Sequence, residues 1–344
     1  MRTETDLPPS FRPSARPALL AAGLLVFLVG LVFHPMVGFE FVDLDVPGQV
    51  IENNYVHGLT YENLVHVFTS RCTKSYYPVR TLTFAVDYEV WGLNPGGFKL
   101  TNGLIHLVNV LLVFWLILRL LRGSSAPETS AETWYSASAA AFGAGVFAVH
   151  PLVVEPVAWV SGREELLMTL GALGAIHFHL TARGLEDRGA RWASTLACHA
   201  GTVFCCAAAC LSNVVGAVIP LLITAWDLFT LPRPRVRKVL GSTAPLWGIA
   251  VATIVIKKLG GLDTATGAPA MFSPTWLMLV LNIFWLNLRT VVWPTELAVH
   301  FAWSLSGSFL AAVVLLGVLV PWLAWFVLWG PCRSQPGLFL FCVL

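Results

Sequence analysis

Charged residues are scarce in this chain. Only 12% of its 344 residues are Asp, Glu, Lys or Arg, whereas soluble domains carry about a quarter. Hydrophobic residues make up 56%. The net charge of +2 and the lack of a basic stripe with interleaved aromatic residues give no reason to expect a nucleic-acid partner. The composition places the chain in a lipid bilayer.

Several sequence motifs of enzymes are also missing. The chain has no Gly-x-Gly-x-x-Gly after a strand, no P-loop, no Gly-x-Ser-x-Gly, no His-Glu-x-x-His and no Cys-x-x-Cys. The seven cysteines lack framework spacing and are expected to be small core residues, so no structural metal site is predicted. An enzyme of this kind would take its activated group from a substrate in the membrane, such as a polyprenyl-phosphate carrier.

What the chain does have is a series of hydrophobic runs near the ~20 residues that cross a bilayer as a helix. Alternating segments of barrel strands are absent. We therefore predict an all-α polytopic membrane protein with a bundle of about 9–11 transmembrane helices, in which backbone groups bond within their own segment. The predicted spans are 17–38, 98–121, 136–153, 164–182, 192–211, 213–230, 240–256, 275–293 and 307–329.

The arginines and lysines of the short loops define the orientation, because such residues concentrate on the cytoplasmic side. This puts the N-terminal tail, 1–16, in the cytoplasm, and 17–344 forms one transmembrane domain. The loop 39–97 then faces outwards, and it is too long for a connector. It contains weakly amphipathic pieces at 60–69 and 79–91. Topology after 275 is left open.

Acidic residues follow the first membrane helix directly. Glu40, Asp43 and Asp45 lie within the sequence Phe-Glu-Phe-Val-Asp-Leu-Asp. Carboxylates at a membrane surface suit a general base toward an acceptor hydroxyl or a ligand for a divalent cation. A solvated turn after the helix is the alternative.

A second concentration of ionisable residues follows the third predicted helix. Proline and glycine break the helix there, and five ionisable residues fall close together in the sequence: His150, Glu155, Arg163, Glu164 and Glu165. Such residues at a membrane surface can face one cavity.

Cations and tyrosines meet in the outer loop. Lys74, Tyr76 and Arg80 precede a short helix, and the cations could pair with a phosphate. The alternative is a patch at the level of the lipid headgroups. For Lys257 and Arg289, we expect snorkelling to headgroups.

These segments, in this order, resemble the TMTC-type and bacterial TPR-linked O-mannosyltransferase-like proteins of the GT-C glycosyltransferase superfamily. The matching stretches are Phe41-Val-Asp-Leu-Asp45, Gly58-Leu-Thr-Tyr-Glu-Asn-Leu64, Ser75-Tyr-Tyr-Pro-Val-Arg-Thr-Leu-Thr-Phe84, Asp87-Tyr88, Gly92-Leu-Asn-Pro95, Leu100-Thr-Asn102 with His106, His150-Pro151, Glu155, Val157-Ala-Trp159, Gly162-Arg163, and Leu288-Arg289 through Trp293-Pro294 with Leu297.

The resemblance implies a GT-C-like fold with a catalytic first outer loop. It implies transfer of mannose from dolichyl- or polyprenyl-phosphate-mannose to Ser or Thr hydroxyls of proteins on the periplasmic or lumenal face. Asp45, with Asp43 beside it, would supply the base. The sugar and phosphate would be bound by residues of the matching stretches and of the outer turn between two helices: Lys74, Tyr76, Arg80, Asn102, His106, His150, Glu155, Arg163, Glu165, Asn213 and Arg289.

The closer likeness is to bacterial members, which favours the bacterial inner membrane over the endoplasmic reticulum. Many relatives carry a C-terminal TPR array. This sequence ends inside an apolar run, so we expect that a C-terminal part, including any such array, is absent from it.

Three positions depart from the pattern of the relatives. The chain has Asp45-Val46 for Asp-Asp, Tyr77 for the arginine of Tyr-Arg-Pro, and Asn213 for a lysine. Three hypotheses therefore stand: a glycosyltransferase, a catalytically inactive relative that acts as a membrane scaffold, and a transporter or flippase. The third is disfavoured, because the charges cluster at the surface rather than at the midplane.

Overall fold

The computed structural model describes residues 15–42, 45–69, 76–122, 129–230, 236–259 and 273–294. All the regular structure in these ranges is helical. The α-helices are α1 (Arg16–Phe33), α2 (Tyr61–Thr69), α3 (Pro78–Trp91), α4 (Pro95–Arg122), α5 (Ser130–Val149), α6 (Val154–Ala158), α7 (Arg163–Asp187), α8 (Trp192–Ser212), α9 (Ile219–Thr230), α10 (Val236–Leu259) and α11 (Pro274–Val292).

The chain divides into two compact units, Met1–Leu262 and Asp263–Leu344. The second contributes α11, which begins at a Ser273 cap whose hydroxyl accepts a hydrogen bond from the Trp276 amide at 3.1 Å. All other described helices belong to the first unit.

Helices α1, α4 and α5 share one apolar core. Leu25, Val29 and Phe33 of α1 are buried against Phe114 of α4 and Ala144 of α5. The outward side of α1 keeps large apolar residues such as Leu20 and Phe27 about two-thirds exposed (63% and 65%). Such a face suits contact with lipid tails.

Helices α7 and α8 pack closely because small residues lie between them. A Cβ atom at Gly171 would come within 2.7 Å of the Cys205 carbonyl oxygen and 2.8 Å of Ala209 Cβ. Close backbone approach through small residues is typical of membrane helix pairs. Cys205, Cys206 and Cys210 are free thiols in or against the core of this half of the bundle.

The predicted helix 213–230 differs from the structure at its start. Asn213 is extended and 214–218 forms a 3₁₀ turn, so α9 holds only 12 residues. A Cβ atom at Gly216 would lie 2.7 Å from the carbonyl carbon of Ala209. The turn therefore folds back onto the end of α8.

Four helical segments of the described residues are long and apolar enough to cross a membrane: Arg16–Gly38, Pro95–Arg122, Trp192–Ser212 and Val239–Lys257. The bent pair Ser130–Val149 and Pro151–Ala158 makes a fifth if it counts as one span. The chain is an all-α polytopic membrane protein, as predicted. The predicted span 307–329 lies outside the described residues.

Residues of the first outer loop form a small layer of their own. The predicted amphipathic pieces 60–69 and 79–91 correspond to α2 and α3. Val46, Val50 and Val56 are fully buried together with Phe84 of α3 and Phe98 of α4. This apolar cluster packs the loop against the beginning of α4.

Candidate active site

The segment between α5 and α7 brings acidic residues to one place. After α5 ends, the chain bends by 51°, forms two short 3₁₀ turns around α6, and enters α7 at Arg163. Prolines interrupt helices because they lack a backbone donor. Gly162 is required here, since a Cβ atom would lie 2.6 Å from Pro156 Cα. The bend directs Glu155, Glu164 and Glu165 into a single cavity.

That cavity has a volume of about 180 Å³ and lies where the loop 39–97 meets the segment before α7 and the start of that helix. It joins three parts of the chain: the outer loop, the beginning of α3 and the α5–α7 segment. Its lining residues are Asp45, Gln49, Tyr77, Arg80, Glu155, Trp159, Ser161, Gly162, Glu164 and Glu165.

Arg80 is the buried cation of the cavity. Its guanidinium forms an ion pair with Glu164, and the two side chains are 4% and 20% exposed. The guanidinium carbon lies 5.0 Å from the centre of the Tyr77 ring. Burial lowers the pKa of Arg80 and Glu164 opposes this shift, but arginine still remains charged. Burial also raises the pKa of Tyr77, as does Glu164, so its hydroxyl stays protonated.

Asp45 lies at the edge of the cavity and is exposed to solvent. Its carboxylate acts electrostatically on both Arg80 and Glu164. An accessible carboxylate beside a buried ion pair can accept a proton from a bound hydroxyl. Asp43, the second predicted catalytic residue, lies outside the described residues.

Arg163 lies outside the cavity lining and is completely buried. It is ion-paired with Asp87 at 2.5 Å and donates hydrogen bonds to the Asn102 side chain (2.7 Å) and the Phe98 carbonyl (2.8 Å). Burial raises the pKa of Asp87, and the charge of Arg163 opposes that shift. These contacts join α3, α4 and α7, so the position of Arg163 favours a structural role over the predicted binding role.

Other predicted binding residues also make structural contacts. The amide group of Asn102 donates to the carbonyls of Pro156 (3.3 Å) and Trp159 (3.1 Å). His106 contacts the Ala148 carbonyl at 3.0 Å. These bonds fasten α4 to the bent segment that carries the cavity glutamates.

Three further predicted residues lie outside the cavity lining and make local hydrogen bonds. The Tyr76 hydroxyl donates to the Phe68 carbonyl at 2.9 Å and ties α2 to the start of α3. The His150 ring accepts a hydrogen bond from the amide of residue 152 at 3.2 Å. The Asn213 side chain accepts one from the amide of residue 215 at 3.0 Å and starts the 3₁₀ turn.

Two predicted residues cannot be placed at the cavity. Lys74 lies outside the described residues. Arg289 is on α11, in the second compact unit. Of the predicted residues, the structure thus brings together Asp45, Arg80, Glu155 and Glu165. The binding and catalytic roles assigned to all of them stay predictions.

The predicted site residues did not include Tyr77, Glu164 or Lys257, although the first two lie in the motifs from which the site was predicted. Tyr77 and Glu164 flank predicted residues directly, so proximity in sequence was a usable signal. Lys257, expected to snorkel, has its amino group 4.1 Å from the centre of the Tyr77 ring. No local pattern shows that contact, because it depends on how α10 packs.

The predicted divalent cation has no assigned site. Among the described residues, no group of three or more His, Cys, Asp or Glu side chains has the geometry to hold a metal ion. A cation bound partly by a substrate phosphate would need fewer protein ligands.

Comparison with known proteins identifies relatives of one kind. The chain is 34% identical over 173 residues to the protein O-mannosyl-transferase Tmtc3 of Drosophila melanogaster, a match covering 47% of this chain and 18% of that protein. It is 30% identical over 47% of its length to the protein O-mannosyl-transferase F38B6.6 of Caenorhabditis elegans, and 26% identical over 72% of its length to TMTC2 of Homo sapiens.

The resemblance to TMTC-type proteins is thus confirmed. The matches span less than a third of the length of these relatives, 18%, 24% and 29%. No family model matches the chain, and no solved structure matches it.

Proposed function

We propose that this chain is the membrane part of a glycosyltransferase that transfers mannose from a polyprenyl- or dolichyl-phosphate-mannose donor to Ser or Thr hydroxyls of proteins. The observation that carries the proposal is the cavity in which Asp45 stands beside the Arg80–Glu164 ion pair. The similarity to proteins named protein O-mannosyl-transferases supports mannose and a protein acceptor.

The proposed reaction uses the cavity as follows. The acceptor hydroxyl oxygen attacks C1 of mannose while the bond from C1 to the phosphate oxygen breaks. The hydroxyl proton moves to the Asp45 carboxylate, and the bonding electrons leave with the polyprenyl phosphate. A base of this kind contributes roughly 10²–10⁴-fold to a rate. A cation such as Arg80 stabilises the charge that develops on the departing phosphate.

The dimensions and polarity of the cavity suit a sugar. Its volume of about 180 Å³ lies below the ~300–1,000 Å³ of pockets for drug-sized ligands, which favours one sugar ring. Glu155, Glu165 and Gln49 line it together with Trp159. Carboxylates and amides accept hydrogen bonds from sugar hydroxyls, and an aromatic ring packs against the apolar face of a sugar.

The proposed site is on the outer side of the membrane, periplasmic or lumenal. The positive-inside pattern places the 39–97 loop there, and the cavity is built from that loop and from the outer ends of α3 and α7. In this proposal residues 17–344 form one transmembrane domain and 39–97 is its catalytic loop. A bacterial inner membrane remains a prediction.

A donor comparison with the purified full chain tests the proposal. The chain, in lipid nanodiscs, is given a Ser/Thr-rich peptide and radiolabelled mannose on either polyprenyl phosphate or GDP. We expect label on the peptide only from the lipid donor, and its release by alkaline β-elimination. Transfer from GDP-mannose alone, or no transfer from either donor by folded protein, would overturn the proposal.

A second candidate is a catalytically inactive relative that serves as a membrane scaffold. Val46 favours it, because the position where the resemblance implies a second aspartate is fully buried in the apolar cluster of the outer loop. Asn213 supports it too, since this residue caps a turn where the resemblance implies a lysine. In that case Asp45 substitution would change no transfer activity, whatever the donor.

A further inference from the structure

The ammonium group of Lys257 is an unusual feature of the outer side of the bundle. Its Nζ atom is shielded from solvent and, among the described residues, has no hydrogen-bond acceptor. It rests on the ring of Tyr77 at 4.1 Å. A buried ammonium without hydrogen bonds is costly, and a cation–π contact offsets only part of this cost.

The surroundings of Lys257 connect it with the cavity. Glu164 and Arg80 both act on it electrostatically, and the same two residues interact with Asp45. Tyr77 lines the cavity and also contacts Lys257. Thus the Arg80–Glu164 pair and the Tyr77 ring connect Lys257 with the candidate base.

Lys257 also lies at the end of a membrane-length segment. It is the last residue of the membrane-length segment Val239–Lys257, whereas Asp45 lies in the outer loop. A lipid-borne phosphate sits at the level of the headgroups, with its tail in the hydrocarbon layer. The end of a transmembrane helix therefore meets a phosphate on a membrane lipid, while the cavity beyond receives the sugar.

From this geometry we infer that Lys257 is a donor-binding residue whose amino group, together with Arg80, binds the phosphate of the polyprenyl-phosphate sugar. This inference rests on the proposed function. Lysine binds phosphate as a point charge with three donors, and a phosphate oxygen would supply the acceptor that Nζ lacks. Arg80 keeps Glu164 as its counterion. Glu164 therefore does not neutralise both cations before the donor binds.

Binding of the reaction product tests the inference without requiring turnover. The probe is a polyprenyl phosphate presented to the full chain in uncharged nanodiscs, with the corresponding polyprenol as a control for the tail. We expect Lys257→Met to weaken binding of the phosphate by about tenfold or more and to leave polyprenol binding unchanged. Lys257→Arg should retain most of the affinity. The control variant Arg188→Gln removes an exposed cation at the opposite end of α7. It should bind the polyprenyl phosphate with the affinity of the wild type.

Equal affinity of wild type and Lys257→Met for the polyprenyl phosphate would overturn the inference. It would also be overturned if the wild type preferred the phosphate over the polyprenol no more strongly than the variant does. Where Lys257→Met fails to fold, a measurement on the wild type tests the inference instead. With ¹⁵N-labelled lysine side chains, solid-state NMR should detect a ¹⁵N–³¹P contact that disappears in Lys257→Arg, and no contact in the wild type would overturn the inference.

The proposed function and this inference fail in different ways. Phosphate binding that depends on Lys257, without mannose transfer, would sink the glycosyltransferase proposal and keep the phosphate site. Mannose transfer with the same donor KM in Lys257→Met and wild type would keep the glycosyltransferase proposal and overturn the phosphate site at Lys257.

Discussion

 

Asp87 on α3 and Arg163 on α7 form a buried ion pair at 2.5 Å, and the ring centres of Phe84 and Phe98 lie 4.8 and 5.7 Å from the guanidinium carbon. Because Arg163 opens α7 and Asp87 lies on α3, this pair holds the outer loop against the helix that carries Glu164 and Glu165.

Breaking that pair should destabilise the whole outer layer. Asp87→Asn leaves the buried Arg163 charge uncompensated, which typically costs about 3–5 kcal/mol. We expect a lower unfolding temperature in detergent and faster proteolysis of the loop. Asp187→Asn, at the exposed end of α7, is the matched control and should behave as wild type. An unchanged unfolding temperature in Asp87→Asn would contradict the structural role of Arg163.

Arg80 should depend on the shape of its guanidinium as well as on its charge. Arg80→Lys keeps the charge but loses the planar fork that pairs with a carboxylate or phosphate. We expect transfer to fall by roughly 10–100-fold, since each lost charge-assisted hydrogen bond costs about 1.5–3 kcal/mol. The measurement is kcat/KM for the lipid donor, with thermal unfolding as a check on folding. Full transfer activity in Arg80→Lys would contradict the proposed role of the Arg80 guanidinium.

The close contact of α7 with α8 predicts opposite effects for two glycines. Gly171→Ala adds a Cβ atom 2.7 Å from a backbone oxygen of α8, and such overpacking costs about 1–3 kcal/mol. Gly248→Ala on α10 has open space within 4 Å and should be neutral or stabilising by up to about 1 kcal/mol. Unfolding temperatures of the two variants test the pair, and equal shifts would count against the described packing.

Val46 cannot simply be restored to the residue of the relatives. Val46→Asp places a carboxylate in a fully buried apolar cluster, which costs several kcal/mol unless the loop rearranges. We therefore expect Val46→Asp to unfold at a lower temperature than Val46→Ala, which only leaves a small cavity. A Val46→Asp protein as stable as wild type would show that this part of the loop can rearrange to expose residue 46.

The helices could be predicted because their signals are local. Hydrophobic runs predicted helices that include the membrane-length segments Pro95–Arg122 and Trp192–Ser212, and the amphipathic pieces 60–69 and 79–91 correspond to α2 and α3. The start of α9 was wrong, because the fold of residues 214–218 depends on contact of Gly216 with the end of α8, and hydropathy does not register such a contact.

The candidate site was only partly predictable, for a physical reason. A charged residue beside a membrane surface has the same sequence signature whether it binds a ligand or another side chain. Arg163 found Asp87 and Asn102 as partners, which come from other helices. Lys257 reaches Tyr77 only through the packing of α10. Both contacts are fixed by tertiary structure.

The most direct test of the central claim is transfer of labelled mannose from polyprenyl-phosphate-mannose in membranes that contain wild type, Asp45→Asn or Glu62→Gln. Glu62 is an exposed acid on α2, away from the cavity lining, and serves as the control. The account predicts transfer by wild type and Glu62→Gln and a loss of roughly 10²–10⁴-fold in Asp45→Asn. Equal transfer by Asp45→Asn and wild type, or no transfer by any of the three folded proteins, would contradict it.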